Sequence, residues 1–144
     1  MSIALFGILL AMGATQPLDL DAPTRAFLAA PSFKLEQEGV ADPCAGPLAT
    51  ALSFSFDDQG GGSFRFDGAT ANGEFTVTQA HQERGRVVMV IADPADGTQT
   101  KTLGFDRVGD NDLQVVDRKT LFFGPGSFSL ERNARFRRCE TPPR

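Results

Sequence analysis

The chain has 144 residues, 41% apolar and 22% charged, with 13 Phe, no Trp, no Tyr, one His and two Cys. That length and mixture fit one folded domain and exclude both a disordered chain and a protein built of membrane-spanning helices. The net charge of −4 divides into +3 over residues 131–144 and −7 over the first 130, and so acidic a body argues against nucleic acid as a partner.

Residues 3–14 form an uncharged apolar run followed by Thr15, Gln16 and Pro17. The run has the length of a signal-peptide core and falls short of the roughly 20 apolar residues that span a bilayer. A cleaved signal over 1–13 is therefore expected, with Ala11 three residues before the cut, although Met1-Ser2 supplies no basic side chain. The expectation that follows is export to the periplasm or the extracellular medium, one domain over 17–140, a loose tail over 141–144, and no stable membrane insertion of the mature chain.

Leu18 to Ala30 is the only other helical segment the pattern offers. Asp21 is placed to cap a helix, Pro23 suits a first turn, and Pro31 stops it. From Ser32 onward the apolar period becomes two. Phe33 and Leu35 share a face, as do Leu52, Phe54 and Phe56; Phe64 and Phe66 follow the turn-rich run Asp57 to Gly62. Asp67-Gly68 and Asn72-Gly73 read as turn dipeptides.

Phe75 and Val77 open a strand to about His81, and Glu83 to Gly85 turn it. Val87 to Ile91 is continuously apolar, the pattern of a strand that is covered on both faces or lies centrally. Asp93 to Gly97 reverse the chain, Leu103 and Phe105 resume the alternation, and Leu113 and Val115 continue it past a turn at Gly109 to Asp112. Asp117 to Lys119 turn again before Leu121 to Phe123, a Gly124-Pro125-Gly126 break, and a last run from Ser127 to Arg138.

The spacing predicts an all-β fold, a single antiparallel meander of about 8–9 strands after a short N-terminal helix, and favours a closed or partly open barrel over a sandwich. In strand count and export such a barrel resembles the lipocalin architecture, a secreted cup that holds a small apolar molecule. The Gly-x-Trp signature of that family is missing, since the chain has no Trp.

Cys44 and Cys139 are expected to form one disulfide, as a pair of cysteines in an exported chain does. His81 is the lone histidine and reads as a surface strand-end residue, with no companion nucleophile. No Gly-x-Ser-x-Gly elbow is present, and Gly60-Gly61-Gly62 lacks the lysine and following helix of a phosphate loop. Asp57 and Asp58 are adjacent, so in a strand they point to opposite faces.

Asp106, Asp110 and Asp112 cluster at one turn, and Asp93 and Asp96 at another, without the register of a calcium loop. Catalytic residues, metal ligands and cofactors are accordingly all expected to be none. The leading functional expectation is a non-catalytic binding protein for a small apolar or amphipathic ligand lined by Phe54, Phe56, Phe64, Phe66, Phe75 and Phe105. The alternative is a protein-interaction module with a filled core, working through an outer face or through Arg135, Arg137 and Arg138 toward an anionic protein partner.

Overall fold

The computed structural model describes residues 18–45, 50–57, 61–68, 72–92, 99–123 and 126–140. The signal segment 1–13, the tail 141–144 and the turn residues Asp58 to Gly60, Asp93 to Gly97 and Gly124-Pro125 lie outside the described residues. In chain order the elements are β1 (Leu18–Asp19), α1 (Ala22–Leu28), β2 (Ser32–Leu35), a short 3-10 turn (Pro43–Ala45), β3 (Ala51–Phe56), β4 (Gly62–Asp67) and β5 (Asn72–Glu83). They continue with β6 (Arg86–Ala92), β7 (Thr100–Val108), β8 (Asp112–Val115), β9 (Lys119–Phe123), β10 (Gly126–Leu130) and β11 (Arg135–Cys139).

Eight of these strands close an antiparallel barrel in the order β2-β3-β4-β5-β6-β7-β8-β11, with β11 returning to β2. The expected meander is thus observed, with two additions. β1 pairs in parallel with the far end of β5, Leu18 opposite Ala80, and β9 and β10 form a separate hairpin between β8 and β11.

Alternation on each strand sends one set of side chains inward. Phe33, Phe64, Phe66, Phe105 and Phe136 are among the largest fully buried side chains. A continuous column of rings runs through the barrel. Phe27 of α1 lies 5.5 Å from Phe33, Phe33 5.7 Å from Phe54, and Phe54 5.4 Å from Phe64. Phe64 then reaches Phe75 at 6.4 Å, Phe75 reaches Phe66 at 6.1 Å, and Phe66 stacks on Phe128 of β10 at 4.0 Å. The barrel is therefore stoppered at one end by the helix and at the other by the β9–β10 hairpin, whose Leu121 and Leu130 are buried in the same cluster.

The helix forms where its caps permit. Asp21 accepts from the Thr24 amide at 2.9 Å, Pro23 occupies the first turn, and the chain leaves the helix at Ala29, before Pro31. Seven residues make no stable helix alone, so packing of Phe27 and Leu28 into the barrel end supplies its stability.

Three sequence expectations are corrected. Asn72-Gly73 lies within the ladder, opposite Asp67 and Phe66, because burying Phe75 against Phe64 fixes that register. The apolar run of β6 is covered on one face only; Val88 and Val90 are half-exposed on the outside. The stretch from Ser127 to Arg138 is two strands, parted by a turn in which Asn133 takes a φ of 69°.

β5 carries a bulge. Val77 pairs with Ile91 and Gln79 with Val90, leaving Thr78 without a partner. The inward set on β5 therefore changes phase, from Phe75 and Val77 to Ala80 and Gln82, while His81 and Glu83 turn outward.

The β5–β6 turn has two residues, and its positive φ of 59° falls on Arg84, whereas Gly85 beside it takes none. Left-handed backbone costs a non-glycine residue about 1–2 kcal/mol, against the ~0.5–1 kcal/mol of extra chain entropy that glycine loses on folding. Arg84→Gly is expected to raise the free energy of unfolding by about 0.5–1 kcal/mol in urea titration.

Candidate functional site

The expected lining residues Phe54, Phe64, Phe66, Phe75 and Phe105 are all buried inside the barrel, and Phe56 packs from the edge of the same cluster. Their ring faces meet one another: Phe105 lies 5.7 Å from Phe54 and 6.5 Å from Phe64. Cys44 and Cys139 form the expected disulfide, 95 residues apart in sequence. The bridge holds the 3-10 turn against β11 and β2, where Ser32, Lys34 and Cys139 of the outer faces are buried.

The arginines of β11 divide as strand alternation dictates. Arg135 points outward and donates from Nε to Gln114 Oε1 at 2.9 Å. Arg137, also outward, lies 3.4 Å from Asp112 Oδ1 and 3.5 Å from Glu36 Oε2. Arg138 shares the phase of Phe136 and reaches the end of α1, donating from Nε to the Phe27 carbonyl at 2.9 Å and from Nη2 to the Ala26 carbonyl at 3.3 Å; it also pairs with Glu140.

Beside Arg137 a shallow groove of about 430 Å³ is lined in part by Glu36, Glu38, Val40 and Arg135. Glu36 Oε2 is buried there and accepts no hydrogen bond. Burial, and next the neighbouring Asp112 carboxylate, push the Glu36 carboxyl above its usual range, with Arg137 pulling the other way. The native state thus holds this proton more tightly than the unfolded chain. The stability Glu36 contributes is fully present below the ordinary glutamate range and is lost as pH rises through the higher native value, so stability is expected to fall across that window. Urea titrations across that window read the slope directly, and Glu36→Gln should flatten it.

His81 is exposed on the outer face of β5, with Nε2 2.8 Å from Glu83 Oε2. Of the acidic turn cluster, Asp106 pairs with Arg86 at 2.7 Å and Asp112 with Arg137; Asp93 and Asp96 lie outside the described residues. Among the described residues no three His, Cys, Asp or Glu side chains are grouped to hold a metal ion, and no helix is long and apolar enough to cross a membrane.

A cleft that no sequence motif marks opens at the helix end of the barrel. It measures about 260 Å³, and its lining includes Phe27, Val87 and Leu113 as an apolar floor and Gln82, Arg84 and Arg107 as polar wall. A wider open surface of about 910 Å³ continues from it along Arg84, Arg86, Asp106 and Arg107.

The mouth is held by polar contacts. Gln82 accepts from the Asp21 amide at 2.7 Å and donates to Asp21 Oδ2 at 2.8 Å, so the inward turn of Gln82 after the β5 bulge ties the start of α1 to the barrel. These bonds and the Thr24 cap hold the Asp21 carboxyl below its usual range; the Thr24 contacts contribute most. Arg107 follows Leu103 and Phe105 on the inward phase of β7, and its guanidinium sits 4.0 Å over the Phe27 ring. Its amide donates to the Gly85 carbonyl at 2.9 Å, fixing the Arg84-Gly85 turn beside it.

No family model matches the chain, and neither does a curated protein or a solved structure.

Proposed function

We propose that the chain is an exported, non-catalytic binding protein that holds a small amphipathic ligand at the helix-closed mouth of its barrel. One observation carries this reading: a single cleft joins the apolar floor of Phe27, Val87 and Leu113 to two guanidiniums, Arg84 and Arg107, that pair with no carboxylate among the described residues. Ligand sites are typically concave and apolar with a few polar groups that orient the ligand. Export is supported by the apolar run of residues 3–14 and by the disulfide, a bond of oxidising compartments.

The mouth is preferred over the barrel interior because the interior rings occupy one another's faces. It is preferred over the last strand because Arg135, Arg137 and Arg138 each already hold neighbouring groups. The test is amide NMR of the mature, oxidised protein titrated with octanoate and with octanol. Shifts confined to α1, Gln82 to Val87 and Arg107 are the expected result. If neither compound moves those signals at saturation, the reading falls.

A further inference from the structure

We infer that the ligand of this mouth is a monoanion, a short alkyl or aryl carboxylate, whose charged end is taken by Arg84 and Arg107 while its apolar end lies against Phe27, Val87 and Leu113. The inference rests on the mouth reading above and adds the charge, the size and the residues that select them.

The charge follows from which donors are occupied. Three arginines and three acids, Asp21, Glu83 and Asp106, border the mouth and the surface beside it. Each acid has its own partner: Asp106 holds Arg86, Glu83 lies on His81, and Asp21 takes Thr24 and Gln82. Arg84 makes no ion pair or hydrogen bond among the described residues, and Arg107 lays its face on the Phe27 ring and acts on Asp21 through its charge alone, without a hydrogen bond. Two guanidiniums with open N–H donors thus stand over an apolar floor, and a planar carboxylate matches that donor geometry. A dianion is disfavoured, because the three acids keep the rim near neutrality overall.

Backbone conformation supports the same residue. Arg84 holds a left-handed φ that Gly85, one position on, would adopt without strain. Strain of this kind persists where a side chain has a use.

The cleft of about 260 Å³ has room for a short chain or a single ring, so octanoate and benzoate are suited to probe it.

The experiment is calorimetric titration of the oxidised protein with octanoate, octanol, octylamine and inorganic phosphate. Octanoate should bind about tenfold or more tightly than octanol, with octylamine weakest, and the gap should narrow in high salt. Arg84→Ala and Arg107→Gln should each bring octanoate toward the octanol value and narrow the ratio of the two affinities; Arg132→Ala, an equal loss of charge in the exposed turn between β10 and β11, should change neither affinity. Circular dichroism confirms that the variants are folded. Octanol binding at the mouth as tightly as octanoate would overturn the monoanion and leave the mouth reading standing. Displacement of octanoate by phosphate at comparable affinity would overturn it in favour of a free oxyanion. Failure of all four to bind would remove the mouth reading itself.

Discussion

Replacing Cys44 and Cys139 by Ser is expected to lower the free energy of unfolding by about 4–5 kcal/mol, the largest effect of any change considered. The bridge closes a loop of 95 residues that contains seven of the eight barrel strands, so its loss frees most of the unfolded chain. The native side of the balance adds to this. The tethered 3-10 turn lies over outer faces of β2 and β11, and with it gone Ser32 and Lys34 would lose their cover. Urea titration with and without reductant gives the number. A loss below about 1 kcal/mol would mean that the seam between β2 and β11 is held by its ladder and by Phe33 and Phe136 alone.

Phe64→Ala should cost about 3–5 kcal/mol. Phe64 has no exposed surface, and its ring contacts Phe54, Phe75 and Phe105 from three strands, so no single neighbour can swing in to fill the space. Phe56→Ala, at the edge of the same cluster, is expected to cost less, since its site is only partly buried and its void would open to water. Measuring both in one series separates a packed column from a loosely filled barrel. Equal and small losses would indicate that the rings repack freely. Binding tests on these variants would also report whether the mouth depends on the column beneath it, through the contact between Phe27 and Phe33.

Much of this architecture is legible in the residues themselves. The Phe pairs on alternating positions identify the inward faces of β3 and β4, Leu103 with Phe105 that of β7, and Asp21 with Pro23 marks the start of the helix. The two cysteines identify their own bridge, having no other partner. What sequence reasoning misses depends on register between distant segments. Nothing local in Lys119 to Leu130 says that this hairpin leaves the barrel to stopper it, since its pairing is as regular as any other. Arg84 and Arg107 are 23 positions apart and carry no motif; only the pairing of β6 with β7 and the Gly85 carbonyl bring them to one cleft. The available signal was the Arg-Gly order of a two-residue turn, where the glycine would ordinarily be expected to carry the positive φ.

The unpaired Thr78 has a further consequence. It works as a one-residue phase shifter: the chain before it answers to the barrel interior, and the chain after it answers to the mouth. Deleting Thr78 would leave Val77 opposite Ile91 and Gln79 opposite Val90 in an unbroken ladder, with Ala80 and Gln82 still inward and His81 and Glu83 still outward. Forcing the same residues into a ladder without the bulge would instead turn Gln82 to solvent and lose its clasp on Asp21. The mouth therefore depends on how the strand accommodates one supernumerary residue that does not itself line it.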